Sequence, residues 1–528
     1  MQASPRDPAA SQPDRRGSGQ SRRGEAGRLA LTALLAALFV LANLIGHARE
    51  PLGVDEIFSL RASSMSWHAL WSWIAKVDSH PPLFYGLLKL WTAIGGDSVV
   101  WLRLLPALTA LAGLLALWGL SNALKLGPGE LLVLVVLASV TPLLQLYALE
   151  IRMFALLQTA SVLSLWAFLR WLEAPAPSRA TTGSLLAANA ILAYAHLWGW
   201  VFVGCEAAYL VAFARRKLPA FARHLGLLAV LVAPWIVAVF TSGRESYTSQ
   251  IVWMVQPGPS APVTFYLSLV GGLPFPHSGV ILGAALAGLL GALCVRATRP
   301  GDERASTVRF LAWFAVLPVA ATFLAALVLR VPVWAPRSLI VSAVPFLALV
   351  TIAARRCPGR WSGAATWALT LWAICAGASW FVRSHRLDWD DVATRLARAV
   401  PPSRRRVPVY TLEPFVWDAL TFHVPRHAEL RGLQIEKLEP AALARVDAEQ
   451  FLVVYRDPPD RRYPLSVDPV RLLAARGYLA TRDAPITHET TTLWVLFARR
   501  SGAAVSTAAA APPPTAAARD SRSRRGEP

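Results

Sequence analysis

Charge is scarce in this chain: only 16% of its 528 residues are Asp, Glu, Lys or Arg, and 32 acidic residues face 52 basic ones, a net of +20. A soluble globule carries about 25% charged residues. With 55% hydrophobic residues, 21 tryptophans and a mean hydropathy of +0.43, an ordinary soluble protein is excluded. Cysteine is nearly absent. Cys205, Cys294, Cys357 and Cys375 lie in or beside apolar runs with no C-x-x-C spacing, which argues against a zinc site and against an extracytoplasmic disulfide framework. Neither a Walker loop nor a G-x-G-x-x-G occurs, so a nucleotide lacks its usual glycine-rich cradle. The basic excess gathers between apolar runs, where it sets orientation in a bilayer, so nucleic acid is not an expected partner.

What the chain has instead is long apolar runs. The first extends from Leu29 to about Ile45, and others lie near 101–122, 130–147, 151–172, 181–195, 197–214, 222–241, 278–296, 307–329, 336–354 and 362–382, each near the length that crosses a bilayer. The expected fold is an α-helical polytopic membrane protein of about 11 transmembrane helices with additional interfacial helices. Residues 1–28 read as a disordered basic cytoplasmic tail, and the first run as an uncleaved span. A cytoplasmic N-terminus places the basic connections "RWLEAPAPSR", "ARRKLPAFAR", "VRATRPGDER" and "AARRCPGR" inside. An odd span count then puts Asp55, the loop 242–277, the "VPVWAPR" turn and the C-terminal segment outside.

Between the first two spans, "SMSWHALWSWIAKV" and "PPLFYGLLKLWTAI" place Trp and Leu at helical spacings with few charges, as interfacial helices do. From 386 the composition changes. "VPVYTL", "QFLVVYRD" and "TTLWVLFARR" read as strands, and "EPFVWDALTFHV" and "DPVRLLAARG" as short helices, so 386–500 is expected to be a small extracytoplasmic α/β domain behind a catalytic membrane domain at 29–385. Residues 501–528 are low-complexity and expected to be disordered.

Ionisable groups at the outer ends of spans carry the chemistry. "VDEIFSL" holds the adjacent acids Asp55 and Glu56, and alone it reads as a helix cap. Its context is "SHPPLFYGLLKLW", where Pro81 and Pro82 fix His80 at a helix entrance, and "LYALEIRMFAL", with Glu150 and Arg152. An Asp-x-Asp in "LDWDD" would suggest a divalent metal, but it precedes "VATRLARAV", and Asp390 or Asp391 is expected to cap that helix.

In this order and spacing the three stretches resemble the GT-C class of membrane glycosyltransferases, in particular glycosyltransferase family 39 and the protein O-mannosyltransferase-like group, over roughly residues 30–385. "AYAHLWGW" at His196 and "WAPRSLIVSAVP" at Arg337 are weaker echoes; Phe154 and Ser338 stand where the family more often has a tyrosine and an aromatic residue. The resemblance implies transfer of a sugar from a polyprenyl-phosphate donor to an acceptor hydroxyl on a protein, lipid or glycan. It implies Asp55 as base, Glu56 and Glu150 as further carboxylates of the catalytic set, and His80, Arg152, His196 and Arg337 around the donor phosphate. No metal ligand set is called for, and a divalent metal, though compatible with the chemistry, has no support in the sequence. The plasma (inner) membrane is the expected location. His80 and His196 read equally well as interfacial histidines, and Arg337 as a side chain snorkelling to the interface. A transporter or lipid-linked sugar flippase is the alternative class. It accounts less well for charges at the outer ends of spans, since transporters hold theirs near the midplane.

Overall fold

The computed structural model describes residues 15–78, 80–242, 256–271, 277–330, 333–382, 388–399, 407–457, 468–488 and 491–501. The chain before Arg15 and after Ser501, half of the loop 242–277 and the expected domain boundary at 385/386 lie outside them.

The helices are α1 (Arg15–His47), α2 (Val54–Ser64), α3 (Trp67–Trp73), α4 (Leu83–Gly95), α5 (Val99–Ala123), α6 (Pro128–Val140), α7 (Pro142–Leu149) and α8 (Phe154–Glu173). They continue with α9 (Arg179–Ala195), α10 (Leu197–Phe213), α11 (Leu218–Thr241), α12 (Ala261–Val270), α13 (Ser278–Ala297), α14 (Ala305–Leu329), α15 (Ala343–Arg355) and α16 (Trp361–Phe381). A π-helical turn, Ile74–Asp78, prolongs α3, and a 3-10 segment, Pro336–Ser342, leads into α15.

Among the described residues, eight helices are long and apolar enough to cross a membrane. These account for eight of the expected runs. The run 130–147 is instead a bent pair, α6 and α7, meeting at 62°. The cause is local: Pro142 has no N–H to continue the ladder from α6, and Thr141 is extended (φ −60°, ψ 121°). The runs 181–195 and 197–214 are α9 and α10, of 17 residues each, parted by an extended His196. Helix α4 has 13 residues, so it reaches about 20 Å and falls short of a hydrocarbon core of about 30 Å. At the N-terminus the expected tail is helical from Arg15 onward. No proline follows Pro13 in this stretch to break the helix, although Gly17, Gly19, Gly24 and Gly27 each cost it about 1 kcal/mol relative to alanine.

The C-terminal residues form a mixed sheet with helices on it. After α17 (Trp389–Ala399) come β1 (Val409–Thr411), α18 (Pro414–His423), β2 (Ile435–Lys437), β3 (Gln450–Asp457), α19 (Pro469–Ala474), β4 (Tyr478–Arg482), β5 (Ile486–His488) and β6 (Thr491–Arg500). The strand order is β2-β1-β3-β6-β4, with β5 also on β6; β1 pairs in parallel with β2 and β3, and β6 pairs antiparallel with β3, β4 and β5. Strand β3 is central, and Phe451 to Tyr455 are all buried.

Helix α17 is capped by Asp388, whose Oδ1 accepts from the Asp391 N–H (2.9 Å), not by Asp390 or Asp391. Asp391 pairs with Arg395 one turn on. The C-terminal domain sits on α2: Arg61 donates to Asp418 and to Thr421 Oγ1 (2.6 Å), and His423 Nε2 donates to the Leu52 carbonyl (3.1 Å).

Candidate active site

Helix α2 begins after Gly53, and its cap is made by Glu56, not Asp55: Glu56 Oε2 accepts from the Gly53 N–H at 2.7 Å. The other Glu56 oxygen accepts from the Ile151 N–H (3.0 Å), and Arg103, fully buried on α5, lies 3.8 Å away. Glu56 is 1% exposed. It ties α2 to the tight turn Glu150–Arg152 between α7 and α8, in which the Arg152 N–H donates to the Glu150 carbonyl at 2.6 Å.

Asp55, one residue earlier, points elsewhere. Its Oδ2 meets Arg337 Nη1 at 2.7 Å, and 48% of its side-chain surface stays open. Arg337 arrives on the 3-10 segment that Pro336 opens, and its guanidinium lies over the Phe154 ring at 5.3 Å. Burial among protein atoms would raise the Asp55 carboxyl, but Arg337 and Arg152 outweigh it and hold the group below its ordinary value. Asp55 is therefore a carboxylate at neutral pH.

Glu150 has the opposite bias. Burial first, then the neighbouring Asp55 charge, push its carboxyl up to about 7, against the pull of Arg337, Arg152 and Arg103. Two carboxyls with separated affinities for a proton thus face the same arginines.

Arg152 is buried and donates from Nη1 to Ser59 Oγ (3.1 Å) and Tyr85 OH (3.0 Å). Tyr85 OH donates in turn to Asp78. Asp78 accepts from His80 Nδ1 on Oδ1 (2.8 Å) and on its backbone carbonyl (3.1 Å). Burial pushes the Asp78 carboxyl up, but His80, Arg152 and the Tyr85 hydroxyl more than reverse this, and it is held well below the usual carboxylate range. His80 rests against His196, ring centroids 5.0 Å apart, and His196 against Phe154 at 5.8 Å. His196 is buried. Desolvation and the surrounding cations hold it well below its ordinary value, and its Nδ1 accepts from the Trp198 N–H (3.1 Å), as a neutral ring can.

The contacts close into a ring: Asp55, Arg337, Phe154, His196, His80, Asp78, Tyr85, Arg152, then Ser59, whose Oγ donates to the Asp55 carbonyl at 3.0 Å. Asp55, His80, Arg152, His196 and Arg337 stand in the ring; Glu150 is electrostatically coupled to it, and Glu56 braces it from behind. Asp78, Tyr85 and Ser59 went unread in the sequence. For Asp78 there was a signal, an acid two residues before a histidine that prolines hold in place; for Tyr85 and Ser59, one aromatic and one hydroxyl among many, there was none. Among the described residues, no group of three or more His, Cys, Asp or Glu side chains is arranged to hold a metal ion.

In chemical terms the ring offers a carboxylate open to solvent, two guanidiniums suited to phosphate oxygens and one partly exposed imidazole. No protein-family model and no curated protein matches the sequence. Solved structures do. ArnT from Cupriavidus metallidurans in the apo state superposes with a TM-score of 0.56 at 13% identity over 88% of this chain and 98% of that one. The same protein bound to undecaprenyl phosphate gives 0.53 at 14% identity over the same shares. With its helical membrane domain and small C-terminal sheet, the chain has the fold of the GT-C class of membrane glycosyltransferases.

Proposed function

We propose that the protein is an integral-membrane glycosyltransferase that moves a sugar from a polyprenyl-phosphate donor to an acceptor hydroxyl at the extracytoplasmic face, by inverting displacement with Asp55 as base. The observation that carries this is the Asp55–Arg337 pair: an open carboxylate held in its charged form, 2.7 Å from a guanidinium, with Arg152 in the same ring. The similarity to a structure of ArnT bound to undecaprenyl phosphate supports a lipid phosphate as the leaving group.

The chemistry divides between the two ends of the displacement. The acceptor hydroxyl forms the new C–O bond while Asp55 takes its proton, a contribution of about 10² to 10⁴-fold for a placed base. The sugar–phosphate bond breaks with its electron pair on the phosphate, whose oxygens Arg337 and Arg152 receive as bidentate donors. Donor binding competes for Arg337 and so loosens its hold on Asp55, which raises the basicity of the carboxylate as the donor seats. His196 stays neutral and fills the wall behind His80. Glu150, able to hold a proton near neutral pH, limits the negative charge beside an arriving phosphate.

The test is turnover by the purified full-length protein in nanodiscs. Polyprenyl-phosphate sugars should be consumed and nucleotide sugars ignored, and Asp55→Asn should lower transfer by roughly 10²-fold or more with donor binding retained. Turnover of nucleotide sugars alone, or near-normal transfer by Asp55→Asn, refutes the assignment.

A further inference from the structure

The turn that carries His80 fixes more than the place of its ring. Two acceptors, Asp78 Oδ1 at 2.8 Å and the Asp78 carbonyl at 3.1 Å, converge on Nδ1. A nitrogen facing two acceptors carries the hydrogen, so Nδ1 is the donor to Asp78 and Nε2 is left as the second ring position. Asp78 is itself held in its charged form and in place, by the Tyr85 hydroxyl on its second oxygen and by Arg152 behind Tyr85. With 26% of its side-chain surface open, His80 is the exposed member of the pair. A carboxylate on Nδ1 of a partly exposed imidazole, with Nε2 as the second ring position, supplies the parts of a proton-transfer dyad, in the same ring as the arginines that suit a phosphate.

We propose that Asp78 and His80 form an acid–base dyad in which His80 Nε2–H protonates the phosphate as it leaves the sugar, Asp78 being the positioning residue; this rests on the transferase reading above. As the anomeric carbon–oxygen bond breaks, its electron pair stays on the lipid phosphate. A non-bridging oxygen of that phosphate then takes the Nε2 proton, so the lipid departs as a monoanion and His80 is left neutral with Nδ1–H still on Asp78. The acceptor proton ends on Asp55. Solvent returns one proton to His80 and removes one from Asp55, and the cycle closes without a co-reactant.

His80 has Asp78 on its Nδ1 and the His196 ring 5.0 Å away, and the charged groups of the same ring of contacts are Asp55, Arg152 and Arg337. A phosphate entering between the arginines and His80 brings its oxygens to the side of the imidazole that Asp78 leaves free.

The experiment compares the full chain with His80→Lys and Asp78→Asn in nanodiscs, with undecaprenyl-phosphate sugars prepared from membrane lipid as donors and undecaprenyl phosphate itself as the binding probe. The unmodified protein should lose kcat along an alkaline limb as Nε2–H is lost. His80→Lys keeps a cation, so undecaprenyl phosphate should bind within about 3-fold of wild type, while kcat falls roughly 10²-fold and the limb moves to higher pH. Asp78→Asn still accepts from Nδ1–H but no longer stabilises the imidazolium, so its limb should move to lower pH. Near-normal kcat in His80→Lys with the limb unmoved would make His80 a charge on the phosphate and nothing more. Should His80→Lys fail to fold, an unmoved limb in Asp78→Asn overturns the dyad alone. Absence of any turnover by the unmodified protein overturns the transferase reading, and the dyad with it.

Discussion

Replacing each of the two adjacent acids of α2 by its amide should separate a chemical role from a structural one. Glu56→Gln leaves one acceptor oxygen where the carboxylate has two. Either the Gly53 N–H, now at 2.7 Å, or the Ile151 N–H, at 3.0 Å, then loses its partner inside the protein, and Arg103 loses a countercharge 3.8 Å away. A hydrogen bond to a charged group contributes about 1.5–3 kcal/mol net, and orphaning a buried donor costs a similar amount, so Glu56→Gln should cost about 1.5–3 kcal/mol. Asp55→Asn breaks a pair that is half open to solvent, which contributes about 0–1 kcal/mol. The assay is paired: hydrogen–deuterium exchange of the peptide around Ile151 with thermal unfolding in detergent, and transfer rate in nanodiscs. Glu56→Gln should speed exchange at Ile151 and lower the melting temperature, with any loss of transfer following that loss of order. Asp55→Asn should keep exchange and melting near wild type while transfer collapses. If Asp55→Asn proves the destabilising change and Glu56→Gln melts like wild type, the roles given to the two acids are reversed.

Between about pH 4.5 and 7 the folded chain holds a proton on Glu150 that the unfolded chain has released, so this group makes stability fall as pH rises through that window and level off above it; Glu150→Gln should flatten the profile in melting curves taken across it. Arg337→Lys keeps the charge but loses the planar fork, so the donor KM should rise by about 10-fold with the protein's melting little changed, and an unaltered KM would remove Arg337 from the phosphate site. Reporter fusions after Lys217 and Arg356 should read cytoplasm, and fusions after Ser242 and Val382 outside; the opposite labels would place Asp55 on the wrong side of the bilayer for a lipid-linked donor.

Much of the fold was legible because the signals are long. A run such as 307–329 is apolar over its whole length, and α14 follows it from Ala305 to Leu329. In the C-terminal domain the apolar stretches 450–457 and 491–500 became β3 and β6, whereas β2, β4 and β5, of three to five residues, carry too little pattern to be read. The bend between α6 and α7 was written in Pro142 but hidden by the uniform hydrophobicity around it, which reads as one span. At the site, prolines and charges marked where chemistry gathers, while the pairings depended on tertiary geometry. That Arg337 meets Asp55 across 282 positions, or that Tyr85 links Arg152 to Asp78, follows from helix packing and not from any local spacing.

The adjacency of Asp55 and Glu56 has a geometric reason. Successive residues of an α-helix project about 100° apart, so neighbouring acids at the first turn of α2 cannot serve the same partner. Glu56 turns inward to the backbone of the Glu150–Arg152 turn, and Asp55 turns to Arg337 and solvent. The turn that Glu56 holds by its amide carries Arg152, which after Arg337 keeps Asp55 charged, and Glu150, whose own carboxyl is pushed up by burial and by Asp55. One acid therefore helps to fix the place of Arg152 relative to the other. A shift of α2 against that turn would alter the electrostatics around Asp55, and His423 on Leu52, just before the helix, and Arg61 on Asp418, near its end, tie α2 to the C-terminal domain. The C-terminal domain thus contacts the helix on which both acids stand, and its hydrogen bonds to that helix brace the site from outside.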